Sequence, residues 1–73
     1  MSKLPRDLKP KKVLKALARA GLEIDHITGS HYILKKGNLR TMVPFHQSVK
    51  TGTLRAILGQ CGLTLEEFID LLT

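Results

Sequence analysis

The chain has 73 residues, 42% of them hydrophobic, with 12 Lys and Arg against 6 Asp and Glu. A chain of this length cannot house two independent cores; it makes one small domain, residues 1–73, burying roughly 60% of the surface its unfolded form exposes. Its apolar runs fall far short of the roughly 20 residues that cross a bilayer, no signal-peptide hydrophobic region opens the chain, and the single cysteine, Cys61, cannot close an internal disulfide, so a soluble protein of a reducing cytoplasm is expected. All the basic residues lie at or before Arg55; residues 1–60 hold 12 basic and 3 acidic side chains, a formal +9, whereas residues 61–73 carry −3. Such a body suits a polyanion, RNA or DNA first, because each phosphate neutralised releases counterions. Charge alone does not separate that reading from a domain kept basic for solubility.

Residues 1–9 mix Pro5 with charges and show no period, so a short flexible arm is expected. From Pro10, suited to a first helical turn, "PKKVLKALARAG" predicts a helix that Gly21 caps. Val13, Leu14, Leu17, Ala18 and Ala20 give it an apolar face, while Lys11, Lys15 and Arg19 recur at i, i+4, i+8 as a basic stripe. "LEIDHIT" and "HYILKK" predict two strands about a tight Gly29-Ser30 turn, and Gly37-Asn38 predicts a two-residue hairpin into "LRTMVP". Pro44 lacks an amide proton, which places the end of the third strand near Val43, with a loop over Phe45 to Lys50. Leu54, Ile57, Leu58 and Cys61 then follow i, i+3, i+4, i+7 in a second helix stopped by Gly62. Thr64 with Glu67 forms a capping box for a third helix, Leu63 and Phe68 form its staple, and Leu65, Phe68, Ile69 and Leu72 form its apolar face. The expected fold class is α+β in the order αβββαα, with the helices on one face of a three-stranded antiparallel sheet.

His26, His31 and His46 are the only groups whose ordinary titration falls near neutrality. No GxxxxGK[ST], GxGxxG or HExxH is present, and no carboxylate neighbours His31 or His46 in sequence, so neither nucleotide chemistry, a metal site nor a cofactor is expected. Histidine among cations suits a different reaction. RNA supplies its own nucleophile in the 2′-hydroxyl, and scission needs a proton acceptor, a proton donor and cationic stabilisation of the phosphorane. Lys35, Lys36, Arg40 and Lys50 lie on segments neighbouring His31; Gly29 admits a phosphate close to the backbone, and the Ser30 hydroxyl can orient it. Strand alternation puts His31, Ile33 and Lys35 on one face and Tyr32, Leu34 and Lys36 on the other. With Ile33 and Leu34 competing for the core, periodicity leaves open which face is buried and whether His31 is a packed side chain or a reactive one.

"GSHYILKK", "VPFH" and "KTGTLRAILGQCGLTLEEFIDLL", preceded by a basic helix ending "AGLEI", together resemble the HicA (YcfA-like) toxins of HicAB toxin-antitoxin systems, from Lys11 to Leu72. The resemblance implies a double-stranded-RNA-binding-domain-like fold and a ribosome-independent mRNA interferase neutralised by a HicB antitoxin. It also implies that the histidine of the G-S-H motif, His31, is catalytic, that Gly29 and Ser30 belong to the same motif, and that His46, in V-P-x-H, is a supporting residue. Gly52, Thr53 and Leu54 match a segment assigned to structure. Two positions depart from the pattern: Thr28 stands where a basic residue is frequent, and Thr51 where proline is frequent. The resulting expectation is a metal-independent endoribonuclease toxin, monomeric when free, with Lys11, Lys15, Arg19, Lys35, Lys36, Arg40 and Lys50 as RNA-binding candidates. The alternatives are a noncatalytic RNA-binding module using the same basic surface, and an adaptor whose basic face meets an acidic protein.

Overall fold

A computed structural model of the chain describes residues 8–45 and 48–72. Three helices, α1 (Pro10–Arg19), α2 (Thr51–Cys61) and α3 (Leu65–Leu72), accompany three strands, β1 (Glu23–Thr28), β2 (His31–Lys36) and β3 (Leu39–Pro44), in the order αβββαα. The sheet is antiparallel with β2 in the centre. Most of the proposed arm, including Pro5, lies outside the described residues. Its end does not hang free: Leu8 and Val49 exchange backbone hydrogen bonds of 3.2 and 2.7 Å.

Both long helices stop by the same device. Gly21 and Gly62 take φ of +100° and +70°, the left-handed region where a side chain is strained and glycine is not. Beyond each glycine the backbone folds back, with Leu22 N–H donating to the Leu17 carbonyl and Leu63 N–H to the Leu58 carbonyl, both at 3.0 Å. This is the Schellman arrangement, which satisfies carbonyls that a helix end otherwise leaves without partners. At α1 a side chain helps: the Lys36 ammonium donates to the Ala20 carbonyl at 2.7 Å.

At α3 the capping box forms in full. Thr64 N–H donates to Glu67 Oε1 at 2.9 Å, and Glu67 N–H donates to Thr64 Oγ1 at 3.1 Å. Glu66 and Glu67 in the first turn also oppose the positive end of the helix. A helix of eight residues has few internal bonds to spare, so removing the threonine hydroxyl matters: we expect Thr64→Ala to lower stability by about 0.5–2 kcal/mol, seen as a lower urea midpoint at unchanged m-value.

The core lies between sheet and helices. Val13, Ala16 and Leu17 of α1, Leu34 and Val43 of the sheet, Leu54, Ile57, Leu58 and Cys61 of α2, and Phe68 of α3 are buried together with Leu22 and Val49. Two sequence expectations shift. Ala16 rather than Ala18 belongs to the buried face of α1, because the helix turns Ala18 towards the rim of β1, where it stays exposed. The third strand runs to Pro44 and not Val43, with Pro44 opposite His31; β3 is an edge strand, where a missing amide proton costs least. Burial pushes the Cys61 thiol up from its ordinary value, consistent with a small core side chain and not a reactive one. Buried Thr41 donates from Oγ1 to Gln60 Oε1 at 2.7 Å, joining β3 to α2.

Candidate active site

Leu34 settles which face of β2 is buried. It is buried in the central strand with Val43 beside it on β3, so Tyr32, Leu34 and Lys36 face the helices, and His31, Ile33 and Lys35 face the other way. Tyr32 confirms the assignment by stacking on Phe45, ring centroids 4.0 Å apart, against the core. His31 therefore opens β2 on the helix-free side of the sheet, half-buried, between Thr28 of β1 and Pro44 of β3.

The turn that presents His31 is tight. Gly29 and Ser30 are its two residues, flanked by the Thr28–His31 pair. Gly29 has φ of +58° and open space where a Cβ would stand; the backbone conformation, and not crowding, makes glycine the suitable residue. Ser30 is exposed, and its carbonyl accepts from Phe45 N–H at 2.6 Å, which ties the turn to the segment following β3. The turn thus leaves polar groups open beside a histidine whose backbone is fixed on both sides. His46 lies outside the described residues.

The cations expected to hold RNA divide into groups. Lys35 and Arg40 are a cross-strand pair on the His31 side of the sheet, both exposed. Lys11, Lys15 and Arg19 are exposed on α1, in the other layer; the Arg19 guanidinium donates to the Leu71 carbonyl at 2.8 Å. Lys36 faces the helices and is engaged at the end of α1. Lys50 is exposed at the start of α2. The seven cations therefore do not form one stripe, and Lys35 with Arg40 are the two that share a sheet face with His31.

A carboxylate–histidine pair on that face escaped the sequence reading. Asp25 Oδ2 lies 2.9 Å from His26 Nδ1, and Asp25 Oδ1 lies 3.2 Å from Lys35 Nζ. Adjacent residues of a regular strand point to opposite faces, so Asp25 and His26 should not meet. They meet because the β1–β2 register shifts between Ile24 and His26, a bulge that inserts an extra residue and re-aims its side chain. The bonds from His26 and then Lys35 hold the Asp25 carboxyl below its ordinary value. It is then ionised at neutral pH and can only accept, so His26 Nδ1 carries the hydrogen and Nε2 is the ring atom left for other partners. His26 is paired with Ile33, which places it diagonally from His31 on the same face.

A largely apolar groove of about 480 Å³ lies elsewhere, between α1 and β1, lined by Leu14, Ala18, Leu22, Ile24 and Leu34 with Lys11, Lys15 and Glu23 at its edge. It contains no histidine. Among the described residues no three His, Cys, Asp or Glu side chains converge as a metal site, and no helix is long and apolar enough to cross a membrane.

The profile of the family described as "HicA toxin of bacterial toxin-antitoxin" matches residues 10–63. That span holds α1, the entire sheet with His31, and α2; α3 follows it. No curated protein matches the chain.

Proposed function

Because this chain belongs to the HicA toxin family of bacterial toxin-antitoxin systems, we propose that it is an endoribonuclease that cuts mRNA in the cytoplasm and so arrests translation, with His31 as the principal proton-transfer residue. The observation that carries this reading is the placement of His31: an imidazole on the helix-free face of the sheet, directly after a glycine turn, on the same face as Lys35, four residues further along β2, and its β3 partner Arg40. The 2′-hydroxyl of the substrate attacks the adjacent phosphorus, the 2′-oxygen–phosphorus bond forms, and the bond to the 5′-oxygen breaks. The proton of the 2′-hydroxyl passes to a base, and a proton is delivered to the departing 5′-oxygen. Exposed cations stabilise the charge that accumulates on the phosphorane. This leaves a 2′,3′-cyclic phosphate and a 5′-hydroxyl, with no cofactor taking part.

Family membership pairs the toxin with an antitoxin; we take that partner to be a HicB-like protein encoded by the adjacent reading frame. Expression of the chain alone in a bacterial host is expected to stop protein synthesis within minutes of induction, with cleaved mRNA, and co-expression of the adjacent product is expected to restore growth. Uncut mRNA in arrested cells would favour the noncatalytic RNA-binding reading, and unimpaired growth would count against toxicity itself.

A further inference from the structure

Scission through the 2′-hydroxyl needs two proton transfers at opposite sides of one phosphorus, and a single histidine cannot perform both at once. The second group has to stand within a phosphodiester's width of His31, on the same face. We infer that His26, held by Asp25, is that second proton-transfer residue. The inference rests on the ribonuclease reading above and adds the other half of its chemistry.

Four observations support it. His26 is paired with Ile33, and Ile33 is two residues beyond His31 on the same strand face, so the two histidines are diagonal neighbours with a backbone separation of about 7–8 Å. That spacing lets both imidazoles reach towards one phosphate between them. The side chain of His26 is 54% exposed, so its outer nitrogen is accessible to a ligand. Asp25 accepts from Nδ1 at 2.9 Å, which holds the ring and leaves Nε2 as the nitrogen for a substrate, the role a carboxylate plays behind many general acid–base histidines. The bulge that makes the Asp25–His26 contact interrupts the ladder locally, and bulges often re-aim side chains beside active sites.

The proton balance closes without an outside reagent. One imidazole takes the proton of the 2′-hydroxyl as the new phosphorus–oxygen bond forms, and the other gives a proton to the 5′-oxygen as its bond to phosphorus breaks. Exchange with water afterwards returns each ring to its starting state. Among the described residues of the three strands, the charged groups on this face are Glu23 and Asp25 from β1, Lys35 from β2 and Arg40 from β3. Thr28, directly opposite His31, follows His26 by two residues on the same face of β1.

The test uses the full chain and an RNA oligonucleotide, with kcat/KM measured across pH for the wild type, His26→Ala, His31→Ala and Asp25→Asn. A bell-shaped profile is expected for the wild type. His26→Ala should lower the rate by about 10²–10⁴-fold and erase one limb of the bell, and Asp25→Asn should lower it by a smaller factor while keeping both limbs. A second substrate carries sulfur at the bridging 5′ position, a leaving group that departs without being protonated; one of the two histidine variants, and not the other, should regain activity on it. Circular dichroism checks that each variant is folded. Wild-type rate in His26→Ala, or a loss that leaves both limbs in place, overturns the inference even when His31→Ala is inactive. A wild-type protein that cuts neither substrate overturns the ribonuclease reading itself, and the inference with it.

Discussion

His31→Ala is expected to lower RNA cleavage by about 10²–10⁴-fold and to remove growth arrest, while leaving the fold intact. The two halves of that expectation come from different features of the same residue. Chemically, the proposed proton-transfer role rests on the position of His31 after the Gly29-Ser30 turn, on the helix-free side of the sheet. Structurally, it contributes to no part of the core, which is built from the opposite face of β2 through Leu34. Replacing a half-buried strand residue outside the core by alanine costs little compared with a buried one. The check is a paired measurement of cleavage rate and thermal unfolding on the same preparation. Loss of both together would mean that His31 supports the fold, whereas loss of neither would remove it from the site.

The largest stability effect is expected at the other side of the molecule. Phe68 is fully buried, follows the capping box on α3, and shares the core cluster with residues of α1, α2 and the sheet. Truncating such a ring removes its burial and leaves a cavity that the neighbours fill only in part, so Phe68→Ala should cost about 3–5 kcal/mol. A 73-residue domain has a total stability of only about 4–11 kcal/mol, so this one change brings the protein close to unfolding at 37 °C. Met42, apolar but 46% exposed on the helix-free face, is the natural control: Met42→Ala should stay within about 0.5 kcal/mol of the wild type. Urea unfolding of both variants decides the matter, and equal losses would mean that the core is misplaced. Because α3 lies beyond the family match at residues 10–63, the same comparison measures how far this last helix supports the toxin domain.

Local chemistry was the legible part of the sequence. Gly21 and Gly62 announced the ends of two helices because only a left-handed residue can turn the chain back there, and Thr64 with Glu67 announced the start of the third because both side chains complete bonds that the backbone lacks. Gly37-Asn38 likewise marked its hairpin. The face of β2 was not legible. Ile33 and Leu34 are equally apolar neighbours, and the choice depends on what the helices cover, a tertiary fact that sets Leu34 inside and so turns His31 outward.

The Asp25–His26–Lys35 cluster was harder still, since alternation separates residues 25 and 26 and only the bulge brings them together. No residue in "LEIDHIT" marks a bulge by composition, as a glycine would have done. The cations show the same limit. Lys35 and Lys36 are indistinguishable as a sequence pair, yet one joins the His31 face and the other ties off α1.

The central claim is that this protein cuts RNA by histidine proton transfer to and from the RNA's own hydroxyls. The most direct measurement is the chemistry of the new ends made by the purified protein in excess chelator. The account predicts continued cleavage with 2′,3′-cyclic phosphate and 5′-hydroxyl termini, and no cleavage of a substrate whose 2′-hydroxyl at the cut site is replaced by hydrogen. Products bearing 3′-hydroxyl and 5′-phosphate ends, or activity abolished by the chelator, would contradict it.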